Sequence, residues 1–153
     1  RKDLIRPQEK LAFDVPCMLA FQTQADNNSI YNTPPVWTIY ICGLVFKWLK
    51  QIGGLEAMHQ KNVEKAQILY EYLDQSEMFS NPVDKQYRSL MNVPFVTGNE
   101  ELDRKFIEES VKEGLLFLKG HRSVGGMRAS IYNAMPREGV EKLVAFMKSF
   151  ESK

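Results

Sequence analysis

The spacing of apolar positions changes along the chain, and each change marks an element. Up to about residue 31 no helical period is present. Leu11-Ala12-Phe13 and Met18-Leu19-Ala20-Phe21 are short apolar runs parted by Pro16, a pattern that predicts strand or extended pieces. Asp26-Asn27-Asn28-Ser29 is a turn cluster. Tyr31-Asn32-Thr33-Pro34-Pro35 sets a polar cap candidate ahead of proline, a helix-start signal. From Val36 to Gln51 the chain is apolar on nearly every face, and it stops at Gly53-Gly54. A helix of that kind predicts burial between layers or at a subunit interface, with Trp37 and Trp48 part of the buried surface.

Leu55 to Gln75 reads as a second helix. Leu55, Met58, Val63, Ala66, Leu69, Tyr70 and Leu73 fall on one stripe, with charged residues on the other side. The Gly53-Gly54 break is the best domain boundary, giving residues 1–53 and 54–153. Arg88 to Thr97 predicts a strand, with Pro94 marking an edge or bulge. Asn99 caps a helix running to about Glu113, and Gly114 stops it. Leu115 to Leu118 predicts a short strand, Lys119 to Gly126 a glycine-bearing loop, and Met127 to Tyr132 another strand. Arg137 to Phe150 closes as an amphipathic helix. Strand, helix, strand, strand, helix predicts a small α/β layer with helices on one face.

Composition narrows the class without naming it. Apolar residues make up 44% of the 153 and charged residues 25%, as in soluble globular proteins. The formal net charge of +1 gives no support to a nucleic-acid or membrane-surface role. Cys17 and Cys42 are too few and too scattered for a disulfide framework or a zinc site, so a reducing, cytoplasmic compartment is the simpler expectation. The longest apolar run, Val36 to Phe46, is too short to span a bilayer. The sequence starts at Arg1 with no signal-peptide organisation, and a processed or truncated start is expected.

Candidate chemistry concentrates in Lys119-Gly120-His121-Arg122-Ser123-Val124-Gly125-Gly126-Met127-Arg128. From Gly114 through Arg137 there is no Asp or Glu, while Lys119, Arg122, Arg128 and Arg137 are all present. Arginine grips a carboxylate through two parallel hydrogen bonds, and a His–Arg pair suits a phosphate. With water excluded, each such charge-assisted bond contributes roughly 1.5–3 kcal/mol. A solvated positive turn fits the same residues, as does pairing of Arg128 with a distant acid. Asn32 and Thr33, at a helix start, suit either an anion or simple capping by Thr33; Pro34 and Pro35 remove two backbone donors. His59 reads as a surface residue, and Tyr70 and Tyr72 as packing and surface residues. No metal-ligand spacing appears.

Gly120-His121-Arg122-Ser123-Val124-Gly125-Gly126-Met127-Arg128-Ala129-Ser130-Ile131-Tyr132-Asn133-Ala134 closely resembles the phosphoserine aminotransferase family. Tyr31-Asn32-Thr33-Pro34-Pro35 is similar to a second motif of that family. So are Gly43-Leu44-Val45-Phe46-Lys47-Trp48-Leu49 with Gly53-Gly54, and Arg88-Ser89-Leu90-Met91-Asn92-Val93-Pro94-Phe95. The matches stand in family order and run from about Asn32 to the end. The resemblance implies an α/β chain: the C-terminal small domain of a type I aminotransferase plus the end of its large domain. It implies pyridoxal 5'-phosphate as cofactor and amino transfer between O-phospho-L-serine and 2-oxoglutarate, giving 3-phosphohydroxypyruvate and L-glutamate, in serine biosynthesis. It further implies that Arg128 grips the substrate α-carboxylate, that His121 and Arg122 hold its distal phosphate or carboxylate, and that Asn32 and Thr33 reach the cofactor phosphate across a homodimer interface. The family's Schiff-base lysine falls before Arg1, and none of the lysines here, Lys2 and Lys119 included, matches it. The expectation is therefore a fragment that is inactive alone. A non-catalytic α/β anion-binding or interaction module is the alternative from another class, and another type I aminotransferase a further one.

Overall fold

The structure, a computed structural model, describes residues 2–7, 10–11 and 13–152. The chain divides into two compact units, Arg1–Trp48 and Leu49–Lys153, and the division falls inside a long helix.

In the first unit Pro16 starts a turn rather than an extended run. The Leu19 N–H donates to the Pro16 carbonyl at 2.8 Å, and Cys17–Leu19 forms a 3-10 turn. Phe21–Asp26 follows as α1, stitched by a 2.7 Å bond from Gln22 to Asp26. The strand or extended reading of Met18 to Phe21 is thereby corrected. A four-residue apolar run carries too little period to separate strand from helix, and Pro16, with φ −52°, fixes the chain at a turn-forming angle. Ala12 lies outside the described residues, so the run around it stays as an expectation. The Asp26–Ser29 turn is present, with Asn28 and Ser29 both left-handed at φ 52° and 62°.

Helix α2 spans Val36–Gln51, as its pattern predicts, yet none of its residues is buried. Trp37 is 73% exposed, and Val36, Ile39, Tyr40, Val45 and Phe46 are exposed beside it. The expected burial between layers is not met within this chain; Trp37 and Trp48 lie on the surface.

The second unit is an α/β layer. Its elements are α3 (Gly54–Leu73), β1 (Asn92–Phe95), α4 (Glu100–Lys112), β2 (Met127–Ser130) and α5 (Arg137–Glu151). The strands pair antiparallel, with Val93 opposite Ala129 and Phe95 opposite Met127. Those four are buried and meet Leu69, Leu73, Phe106, Val140, Leu143, Met147 and Phe150 from the helices in one core. Pleating turns Asn92, Pro94, Arg128 and Ser130 to the other face. Asn99 caps α4 by accepting from the Glu101 and Leu102 N–H groups, and Gly114 (φ 76°) ends the segment, both as read.

Several boundaries differ for local reasons. The strand read from Arg88 to Thr97 keeps only Asn92–Phe95, because the Ser89 hydroxyl accepts the Met91 and Asn92 N–H groups and Arg88 is drawn away to Asp74. Leu115 to Leu118 forms no strand: Phe117 takes φ 62°, which breaks the pleat, and only Lys119 bridges Met127. On α3 the buried stripe runs Met58, Asn62, Lys65, Ala66, Leu69, Leu73, while Leu55 is 76% exposed. Lys65 was expected on the charged side. It is buried instead because its Nζ donates to the carbonyls of Ile131, Tyr132 and Met135 at 3.2, 2.8 and 2.9 Å. The Glu151 carboxylate joins α5 to the segment after α3, accepting from Ser76, from the Glu77 and Met78 N–H groups and from the Tyr72 hydroxyl.

Asp74 sets an acid limit for this unit. It accepts two bonds from the Arg88 guanidinium, at 3.0 and 2.6 Å, and Lys85 lies 3.0 Å away. The guanidinium first, then the ammonium, hold its carboxyl at about 2, against an ordinary 3.8. The depressed folded value means that this stabilisation is complete above about pH 4 and is lost as pH falls towards 2. Denaturant titrations across that window should show a smaller slope of stability against pH in Asp74→Asn than in the parent.

Candidate functional site

The Lys119–Gly126 loop exists as read, and glycine is obligatory at its closure. The Gly120 N–H donates to the Gly126 carbonyl at 2.9 Å, and a Cβ on Gly120 would overlap the Gly125 carbonyl oxygen. Gly126, at φ 61°, lies against Val96 and the Phe95 carbonyl, so the loop presses onto the end of β1. The Val124 and Gly125 N–H groups both donate to the His121 carbonyl at 2.9 Å, tightening the tip.

The loop forms one wall of a cavity of about 590 Å³. Lys119, His121 and Arg122 line it from the loop, and Asn99, Glu100, Asp103 and Arg104 from the first turns of α4. The α4 wall was not visible in the sequence, where it lies about twenty residues earlier. It also modifies the charge reading. The absence of acids from Gly114 to Arg137 holds along the chain, but Glu100 and Asp103 bring carboxylates to the same cavity. The Asp103 Oδ1 is committed to Thr97, accepting from its N–H at 2.9 Å and its hydroxyl at 2.7 Å. Among the described residues Lys119, Arg122 and Arg104 form no salt bridge. Arg137, counted with the positive stretch, is paired with Glu141 at 2.7 Å along α5. The cavity thus holds more unpaired cations than acids, which suits an anion.

Arg128 sits apart from this cavity. It lies on β2 opposite Pro94, on the face of the sheet turned from the core, and its N–H donates to the Leu118 carbonyl at 2.7 Å. Its side chain pairs with no acid among the described residues, and its Nε is buried without a hydrogen-bond partner. The predicted residues therefore form two stations in this unit: His121 and Arg122 in the cavity, and Arg128 on the strand beyond the loop. Asn32 and Thr33 belong to the first unit and are exposed. Asn32 Nδ2 lies 3.3 Å from Met18 Sδ, a weak acceptor. Thr33 does not cap α2. The helix opens after Pro35, whose carbonyl accepts the Ile39 N–H at 3.1 Å. His59 is exposed, and Tyr70 and Tyr72 are half-buried, as expected. No cluster of metal-ligating side chains occurs among the described residues, and none of their helices is long and apolar enough to cross a membrane.

An α/β unit whose glycine-closed loop carries unpaired cations into a cavity defines a class that comparison with known proteins makes specific. Residues 11–143 match the family Aminotransferase class-V, and the chain belongs to that family. Within it, the similar relatives are phosphoserine aminotransferases. That of Bacillus cereus is 52% identical over 151 residues, covering 99% of this chain and 41% of the relative. That of Listeria monocytogenes is 54% identical over 150 residues, covering 98% and 40%. The solved phosphoserine aminotransferase from Bacillus circulans subsp. alkalophilus superimposes with a TM-score of 0.88 at 46% identity, over 99% of this chain and 42% of that one. The chain thus spans about two fifths of the length of the relatives it matches. A similar structure from Trichomonas vaginalis, with a TM-score of 0.80 at 43% identity over 88% of this chain and 39% of that one, is of a PLP-bound phosphoserine aminotransferase.

Proposed function

We propose that this chain is the C-terminal part of a pyridoxal-phosphate-dependent phosphoserine aminotransferase. The reaction is amino transfer between O-phospho-L-serine and 2-oxoglutarate, giving 3-phosphohydroxypyruvate and L-glutamate in serine biosynthesis. The observation that carries the reading is the cavity in which His121 and Arg122 stand without salt-bridge partners among the described residues, in a chain 52% identical to a protein of that name. Bound pyridoxal phosphate supplies the electron sink for the reaction. Asn32 and Thr33 fit its phosphate: the amide meets only a thioether, and the threonine hydroxyl bonds nothing among the described residues, so both donors can turn to an anion.

Arg128 meets the α-carboxylate common to both substrates, and its guanidinium on β2, whose buried Nε has no hydrogen-bond partner among the described residues, suits that task. His121 and Arg122 meet the distal group, a phosphate in one substrate and a carboxylate in the other. A homodimer with active sites at the interface is the assembly, supported by the apolar, unburied surface of α2. The setting is cytoplasmic.

In the full-length polypeptide carrying this chain, Arg128→Lys should lower kcat/KM for phosphoserine and for glutamate alike, by roughly 10- to 100-fold, since a two-pronged grip becomes a point charge. Steady-state assays with each substrate measure it. A loss confined to the phosphorylated substrate would remove Arg128 from the α-carboxylate. Failure of the polypeptide to bind pyridoxal phosphate, followed by absorbance, would remove the whole reading.

A further inference from the structure

Neither the loop's charge nor the comparisons give Ser123 a role, yet its two donors converge on one atom. Its Oγ lies 2.7 Å from His121 Nδ1, and its backbone N–H points at the same nitrogen over 3.3 Å. A backbone N–H can only donate, so Nδ1 accepts there. A neutral imidazole carries one ring proton, which is then on Nε2. The Ser123 hydroxyl, free to rotate, turns its proton to Nδ1 as well. The His121 carbonyl is held by the Val124 and Gly125 N–H groups, so ring and main chain are both fixed by the residues that follow.

We propose that Ser123 is a positioning residue that holds His121 in the Nε2–H tautomer, so that the ring presents an N–H donor to the distal anion of the substrate. The inference rests on the reading of His121 as a ligand of that anion. It adds a reason why one site serves two distal groups. With Nδ1 accepting, the neutral imidazole bears its proton on Nε2. The donor is therefore present for a phosphate and for a carboxylate, without a change of ring charge between the two halves of the reaction. Lys119, Arg122 and Arg104 on the cavity wall supply the fixed positive charge, and Glu100 and Asp103 the negative.

The test uses the full-length polypeptide labelled with ¹⁵N-histidine and long-range ¹H–¹⁵N correlation spectra, which distinguish the two neutral tautomers. His121→Gln assigns the signal. The parent should show His121 as the Nε2–H form. Ser123→Ala removes the shorter bond to Nδ1 and keeps the 3.3 Å backbone N–H, so the Nε2–H form should stay the major one with an Nδ1–H fraction appearing beside it, and the KM for phosphoserine should rise by about 3- to 10-fold, the worth of one hydrogen bond, with kcat little changed. Ser123→Thr, which keeps the hydroxyl, should restore both. An Nδ1–H signal in the parent would overturn the proposal. So would an unchanged spectrum and KM in Ser123→Ala when His121→Ala does raise the KM for phosphoserine. If His121→Ala leaves that KM alone, the ligand reading fails instead, and the spectra still decide the tautomer.

Discussion

Phe106→Ala is expected to destabilise the second unit by about 3–5 kcal/mol, the range for deleting a fully buried aromatic ring. Phe106 is 0% exposed and is the hub of an aromatic cluster. Its ring centroid lies 5.0 Å from Phe146, 5.1 Å from Phe79, 5.2 Å from Phe150 and 5.8 Å from Phe95. Those partners come from α5, from the segment after α3 and from β1, so one truncation loosens α4 from all three. Edge-to-face pairs add roughly 0.5–1.5 kcal/mol each beyond burial, so the upper part of the range is expected. The effect should reach the cavity, because Asn99, Asp103 and Arg104 ride on the same helix. Urea unfolding measures the loss, and Phe106→Leu, which keeps much of the volume, should lose markedly less. A shift below about 1 kcal/mol in the alanine variant would mean that the cluster does not hold α4.

Lys65→Met is the second large effect, expected at about 2–4 kcal/mol. The methionine fills the same space, so the change isolates polar bonding from packing. Three carbonyls, of Ile131, Tyr132 and Met135, lose their donor together. An unsatisfied buried acceptor costs about 1–3 kcal/mol, and relief from burying an ammonium offsets part of the sum. That relief is real: burial lowers the Lys65 pKa, so the charge is held against a desolvation cost. Amide hydrogen exchange should quicken through Tyr132–Met135 in the variant. Unchanged exchange there, with unchanged unfolding, would show that the carbonyls find water instead.

The sequence disclosed what depends on neighbours along the chain. Asn99 and Gly114 delimit α4 through a side-chain cap and a left-handed glycine, both local events. The period of α5 and the glycines of the Lys119–Gly126 loop were legible for the same reason. What failed depended on distant or subtle partners. Lys65 is buried because of carbonyls some 66 to 70 residues away, which no helical stripe reports. Phe117 looks like a strand residue, yet its left-handed backbone ends the pairing. The short apolar runs beside Pro16 had too few residues to declare a period. In the candidate site, charge without counter-charge pointed to His121 and Arg122. The opposite wall, from Asn99 to Arg104, appears only once α4 folds beside the loop, and so does the separation of Arg128 from it.

The contacts that close the second unit also set the order in which it can form. Helix α3 is held by α5, by the Lys65 bonds near residue 131 and by the Glu151 carboxylate, 75 residues beyond Ser76. At a synthesis rate of about 5–20 residues per second, α3 emerges several seconds to more than ten seconds before those partners. During that interval Ala66, Leu69 and Leu73 lack the α5 side of their core, Val140, Leu143, Met147 and Phe150. The ribosome-bound nascent chain therefore exposes an adhesive stripe, and holding factors that shield such stripes should raise the soluble yield, most of all where translation is slow.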